Sequence, residues 1–153
     1  MTTWYRAART ENIQTVFSGD GGLYVSGRWN DLGKRIIYCS ESIALCTLEW
    51  LAHHGLSVSG FNYYRYSIDI PDNLIRKFSL SDMPKDWNTT PSTDSTRDFA
   101  DEHLFAPNQS LAIAIPSTLV PEEYNLIINP LHVDFQKVAA SIKLLGEHLA
   151  PTR

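Results

Sequence analysis

Cysteine is scarce in this 153-residue chain: Cys39 and Cys46 stand alone, and no Cys-x-x-Cys pair occurs. That spacing argues against a disulfide scaffold and leaves buried free thiols in a reducing cytosol as the expectation. The five histidines show no His-Glu-x-x-His spacing, and His53 and His54, adjacent on one helix, point about 100° apart, so no metal site is expected. There is no Gly-x-x-x-x-Gly-Lys-Ser/Thr loop, which excludes a P-loop nucleotidase, and Gly19-Asp20-Gly21-Gly22 is too short for a dinucleotide fingerprint. A Gly-x-Ser-x-Gly elbow is missing too, which leaves a hydrolase-type serine nucleophile without support. No apolar run approaches the roughly 18 residues of a membrane span, and Met1 to Arg6 carries no apolar signal core, so a cytoplasmic protein away from membranes is expected. Basic charge is not in excess. Lys and Arg number 13 against 17 Asp and Glu, for a net charge of -4, which argues against direct nucleic-acid binding.

What is present is an ordinary globular balance, with 43% hydrophobic and 20% charged residues, and enough aromatics (four Trp, seven Tyr, six Phe) to make disorder untenable. The length predicts one domain over residues 1–153. Residues 1–8 read as a strand with Trp4 and Arg6 on one face and Tyr5 on the other, and Arg35 to Cys39 as a second with Ile36 and Tyr38 sharing a face. A helix follows, N-capped by Ser40 or Ser42 and ended by Gly55, with Ala44, Leu45, Leu48, Leu51 and Ala52 as its apolar stripe. Glu49 falls about 40° from Leu45, on the border of that stripe. Tyr63 to Ile70 alternates as a strand with one buried face, stopped by Pro71. Residues 79–98 read as a long surface loop, Asp98 to Phe105 as a short helix, Leu111 to Ile115 and Tyr124 to Ile128 as strands, and Asp134 to Leu149 as a C-terminal helix. Strands with only a few helices predict an α+β domain.

The residues that can carry chemistry gather between Gly27 and Glu49. Arg28, after Gly27 and before Trp29, offers a planar fork of donors for phosphate oxygens; the alternative is a surface arginine stacked on Trp29. Arg6, among aromatics on the opening strand, is a second candidate; its alternative is a solvent-facing strand residue. Tyr38, and less strongly Tyr24, can stack on a flat ring or serve as a core tyrosine. Glu49, partly desolvated near an arginine, can stay ionised and face a developing positive charge, or it is an exposed helix glutamate. Ser117 ends an apolar strand after Pro116, where polar site residues and plain turn residues are both found.

Taken together, these segments resemble the RES-domain toxins of bacterial type II toxin–antitoxin pairs. The resemblance runs from Trp4-Tyr5-Arg6 through Tyr24-Val25-Ser26-Gly27-Arg28-Trp29-Asn30, Ile37-Tyr38 and Ala44-Leu45-Cys46-Thr47-Leu48-Glu49. It resumes at Ile115-Pro116-Ser117 and closes on Tyr124 to His132, with its Asn-x-x-x-Asn-Pro-x-His pattern. Two positions depart from the family: Ser26 stands where Gly is frequent, and Ala100 near another such Gly. The resemblance implies a compact domain like the ADP-ribosyltransferase (diphtheria-toxin-like) fold, with small mixed or antiparallel sheets and flanking helices. It also implies NAD as substrate rather than cofactor, and destruction of NAD or transfer of ADP-ribose to a protein.

By position, Arg6 and Arg28 match the family's site arginines, Tyr38 its tyrosine, Glu49 its glutamate and Ser117 its serine, with Asn125 a polar neighbour. Arg28 and Arg6 would then hold the pyrophosphate and Tyr38 would orient the nicotinamide ribose. Glu49 would stabilise the oxocarbenium-like cation, and Ser117 would hydrogen-bond nearby. The partner implied is an Xre-like helix-turn-helix antitoxin, with self-association of the toxin into a homodimer as a further expectation. The rival is a non-catalytic module that holds a nucleotide or a partner's tail in the same pocket.

Overall fold

The computed structural model describes residues 1–55 and 60–150. In chain order its elements are β1 (Thr2–Ala8), α1 (Ile13–Val16), α2 (Gly21–Tyr24), β2 (Ile37–Ser40), α3 (Ile43–His54), β3 (Asn62–Ile70), β4 (Ile75–Lys77), α4 (Asp94–Ala100), β5 (Ala112–Pro116), β6 (Tyr124–Ile128), α5 (Phe135–Ala139) and β7 (Lys143–Leu149). The strands form one mixed seven-stranded sheet in the order β4-β5-β6-β2-β1-β3-β7. All pairs are antiparallel except β4 with β5.

The sheet is strong on either side of its middle and weak at it. β1 and β3 pair along seven positions, from Thr2↔Ile70 to Ala8↔Tyr64, and β2 pairs β6 from Ile37↔Ile128 to Ser40↔Asn125. Between β1 and β2 the ladder has a single register pair, Tyr5↔Ser40. The side chain of Arg6 takes over where the backbone ladder stops. Its Nη1 donates to the Tyr38 carbonyl at 2.9 Å and its Nε to the Val16 carbonyl at 2.9 Å. β-strand alternation puts Trp4 and Arg6 on one face, as expected, and Trp4 packs with Ile37, Cys39, Tyr66 and Ile68.

Alternation also explains the two cores. Leu126, Ile128, Ala112 and Ala114 face one layer, with Phe135 and Val138 of α5. Ile113, Ile115 and Ile127 face the other, with Trp29, Phe78, Met83, Trp87 and Leu104. Each fully buried Ile or Leu contributes about 1.5–3 kcal/mol. Tyr63 and Ser67 are buried as well, so β3 is covered on both faces, not one as its alternation suggested. The second cover is α3, whose Trp50 stacks on Tyr63 at 4.6 Å between ring centroids.

α3 starts at the Ser42 cap, whose Oγ accepts from Leu45 N, and ends at Gly55 with φ +60°. Its buried residues, however, are Leu45, Cys46 and Trp50, whereas Leu48 of the expected stripe is 44% exposed. The helix is turned so that Glu49 lies on its inward side. The strand expected from Arg35 begins at Ile37. The expected C-terminal helix is a correction: α5 stops at Ala139, and Lys143–Leu149 is an edge strand because it finds the free edge of β3, with a bulge opposite Arg65/Tyr66 near Gly146.

The surface loop expected over residues 79–98 is also corrected. It holds a 3-10 turn at Leu80–Asp82, buries Met83 and Trp87, and enters α4 at Asp94, earlier than the expected Asp98. A π-helical turn, Asp101–Phe105, continues α4. Cys39 and Cys46 are free and buried. Among the described residues no helix is long and apolar enough to cross a membrane.

Candidate active site

Two side chains from distant parts of the chain converge on one carboxylate oxygen of Glu49. Glu49, half-buried on α3, receives the Ser117 hydroxyl at 2.7 Å and the Asn125 Nδ2 at 2.7 Å, both on Oε1. Ser117, fully buried just past β5, is itself oriented. Its Oγ accepts the backbone N–H groups of Leu119 and Val120, each at 3.1 Å, so its own proton is directed at Glu49. Asn125 on β6 is fixed from behind by Ser40 of β2, which donates to Asn125 Oδ1 at 2.7 Å. The amide orientation follows from these neighbours, because the reverse would set two acceptor oxygens 2.7 Å apart. Among the described residues no ion pair joins Glu49 to an arginine, so the stabilisation expected from a neighbouring arginine comes instead from a hydroxyl and an amide.

Two residues along β2 from Ser40, and therefore on the same face, stands Tyr38. Its hydroxyl donates to Asn30 Oδ1 at 2.6 Å. Burial pushes the Tyr38 phenol well up. A backbone hydrogen bond from Trp29 and the positive charges of Arg6, Arg97 and Arg28 oppose that shift. The phenol therefore stays a neutral donor with three guanidinium groups in electrostatic reach. Burial lowers the Arg6 pKa, opposed by Cys39, Cys46 and Tyr38, yet an arginine remains charged.

The turn carrying Arg28 is built to bring it here. Gly27 N donates to Asn30 O at 3.0 Å, and a Cβ on Gly27 would lie 2.6 Å from Asn30 Oδ1 and 2.8 Å from the Tyr38 hydroxyl. Trp29 is buried against Phe99, not stacked under Arg28. Arg28 turns its Nη1 to the carbonyls of Trp87 at 2.9 Å and Thr89 at 2.7 Å, which ties residues 87–89 to the turn. Its Nη2 and Nε take no partner among the described residues.

α4 clamps the other side of the turn. Thr96 donates to the Arg28 carbonyl, and Arg97 donates to the Gly27 carbonyl at 3.1 Å while pairing with Asp94 at 2.9 Å and Asp31 at 3.8 Å. Thr96 and Arg97 belong to the site's framework and are not among the sequence candidates, and Ser40, a cap candidate by sequence, serves that framework instead of capping α3. The Ser92-Thr93-Asp94-Ser95-Thr96-Arg97 stretch, with its helix-start chemistry, is the signal the sequence offers for Thr96 and Arg97.

Tyr24 ends α2 with its side chain 78% exposed and belongs to none of these hydrogen-bonded groups. His132 serves the framework: its Nδ1 accepts from Asp134 N at 3.0 Å, so its Nε2 donates to Gln109 O at 2.9 Å. Two surface depressions of about 350 and 330 Å³ share Phe105, Asn129 and Leu131, and neither is lined by Glu49, Tyr38, Arg6, Arg28 or Arg97. We assign the site by its converging polar groups instead.

A half-buried carboxylate held by a hydroxyl and an amide, and a tyrosine held by an asparagine with three guanidinium charges in electrostatic reach, are thus set on the one mixed sheet of an α+β domain. The same fold occurs in the crystal structure of the M. tuberculosis MbcT–MbcA toxin–antitoxin complex, where one chain matches with a TM-score of 0.65 at 15% identity, over 96% of this chain and 82% of that one. A model of the RES-domain family matches residues 3–150, and the chain belongs to that family. It is 33% identical over 141 residues to a protein named Toxin Res from Photorhabdus laumondii, covering 92% of this chain and 90% of that one. It is also 33% identical over 136 residues to one named Prs ADP-ribosylating toxin from Sphingobium sp., covering 87% and 83%.

Proposed function

We propose that this chain is the toxin of a type II toxin–antitoxin pair, acting in the cytoplasm as a single RES domain. Its chemistry is cleavage of the nicotinamide–ribose bond of NAD, which depletes NAD and arrests growth. The observation that carries the reading is the Glu49 carboxylate, with Oε1 fixed by Ser117 and Asn125 and Oε2 without a partner among the described residues. A carboxylate so fixed suits an oxocarbenium-like transition state, since its stabilisation costs no reorganisation as positive charge develops on the ribose.

In this mechanism the bond between ribose C1′ and the nicotinamide nitrogen breaks, and nicotinamide leaves as a neutral molecule with the electron pair. Water, phosphate or a protein side chain then adds to C1′ and gives its proton to solvent. No strong general acid is needed, because the leaving ring sheds its positive charge. The unused donors of Arg28 and Arg6 take the pyrophosphate, and Tyr38, held by Asn30, packs beside the nicotinamide ribose. Tyr24, exposed at the edge of the same turn, would add a binding contact from outside. An Xre-like helix-turn-helix antitoxin covers the cleft, and a toxin homodimer forms within the complex.

The protein-modifying alternative has its own support in the Sphingobium relative, whose name specifies ADP-ribosylation. In both versions nicotinamide is released. Purified protein incubated with NAD, with and without phosphate, is expected to liberate nicotinamide. Glu49→Gln is expected to lower the rate about 100-fold or more, as when one transition-state-stabilising group is removed. Mass analysis of the product separates hydrolysis, phosphorolysis and protein modification. A wild-type protein that releases no nicotinamide in any of these conditions would refute the NAD reading. Full activity in both Glu49→Gln and Arg28→Ala would refute the residue assignments alone.

A further inference from the structure

We propose that Ser40 is a positioning residue for Glu49 and acts through Asn125. Ser40 is buried on β2 at the one point where β1 and β2 pair, so its backbone is held from both sides, by Tyr5 and by Asn125. Its hydroxyl donates to Asn125 Oδ1, and the same amide donates through Nδ2 to Glu49 Oε1. An amide polarised at its oxygen is a stronger donor at its nitrogen. More simply, the hydroxyl removes the amide's freedom to turn over. With Ser117 as second donor, Oε1 is fully committed and the carboxylate plane is fixed. The oxygen that meets the ribose is therefore Oε2, and it is aimed by a relay that begins at the junction between the two halves of the sheet. Ser40 touches neither Glu49 nor, in this assignment, the substrate.

The kinetic consequence rests on the NAD reading above, whereas the structural consequence does not, and the test has an arm for each. In nicotinamide release, Ser40→Ala is expected to lower kcat about fivefold, equivalent to about 1 kcal/mol, with KM within about twofold. Ser40→Thr, which keeps the hydroxyl, is expected to restore most of the rate. In an Asn125→Ala background, Ser40→Ala should change kcat by less than about twofold, because the relay is already cut. Equal losses in both backgrounds, or no loss in the wild-type background, would overturn the proposal.

The substrate-free arm follows the Asn125 side-chain amide by 15N NMR, assigned through its disappearance in Asn125→Ala. Ser40→Ala is expected to shift that resonance and speed its exchange with water, and Ser40→Thr to leave it close to wild type. An unmoved resonance in Ser40→Ala refutes the relay whatever the enzyme does. A moved resonance in a protein that leaves NAD intact would instead refute the NAD reading and keep the relay.

Discussion

Substituting Gly27 by alanine tests the geometry of the turn that delivers Arg28. The added methyl carbon would stand 2.6 Å from Asn30 Oδ1 and 2.8 Å from the Tyr38 hydroxyl, two atoms that are hydrogen-bonded to each other at 2.6 Å. Neither atom is the loose end of a flexible chain, since Tyr38 is on a central strand and Asn30 is buried with Nδ2 on the Val25 carbonyl at 3.1 Å. Overpacking of this kind costs about 1–3 kcal/mol. Parting the Tyr38–Asn30 bond adds about 1 kcal/mol. The stiffer unfolded chain returns about 0.4–1 kcal/mol.

The expected net loss is about 1–3.5 kcal/mol, or roughly 2–14 °C in Tm for a domain of this size. Urea denaturation with a constant m-value measures it. Gly21→Ala is the internal control: its added carbon meets nothing within 4 Å, so it should shift stability by less than about 0.5 kcal/mol. In a Tyr38→Phe background the Gly27→Ala loss should shrink by about 1 kcal/mol, because one of the two colliding oxygens is gone. A Gly27→Ala protein as stable as Gly21→Ala, or one whose loss is the same with and without the Tyr38 hydroxyl, would refute the reasoning.

Three further outcomes are expected. Arg28→Ala frees residues 87–89 from their anchor, so tryptic cleavage at exposed Lys85 should accelerate several-fold, and an unchanged rate would mean that the Trp87 and Thr89 carbonyls are not what holds the segment. On the acid side, Asp72, Asp82, Asp86 and Asp134 are held below the ordinary 3.8, chiefly by Thr2, Ser79, Ser95 and Lys137 respectively. Their contribution is present above the unfolded pKa and lost as pH falls through the folded values. The urea midpoint should therefore fall below about pH 4, and less steeply in Asp86→Asn. On the alkaline side, burial raises Cys39 to about 12 and Cys46 to about 11 from 9.0. Both stay protonated in the native protein, so a disulfide reagent at neutral pH should label neither until the chain is unfolded. Stability should then decline from about pH 9 upward, as only the unfolded thiols ionise.

Local chemistry was legible where a single residue type decides the structure. Ser42 capped and Gly55 ended α3 as expected, whereas Glu49 and Ser117, far apart in sequence and joined at 2.7 Å, were linked only through the family resemblance. Periodicity misled where it continued past a real boundary. Phe135, Val138, Ala139 and Ile142 keep helical spacing, and the chain nevertheless turns into β7 because the free edge of β3 offers a ladder that a helix would leave unpaired. The α3 stripe misled differently. Leu48 is apolar and in phase, but Trp50 requires the stack on Tyr63, and that contact sets the rotation of the helix. The framework residues Ser40, Thr96 and Arg97 were hidden because they act on backbone carbonyls or on another side chain's amide, which no spacing rule reports.

The single Tyr5↔Ser40 pair gives the first strand of the chain an importance its position in sequence conceals. β1 is the bridge by which β3 and β7 are attached to the half of the sheet that carries Tyr38, Ser40 and Asn125. Deleting the first six residues would therefore remove Arg6 and also most of the strand that joins the two halves of the sheet by hydrogen bonds. Backbone amides at this line should exchange sooner than those a strand away, and α3, which packs on both β1 and β2, is the splint that spans it.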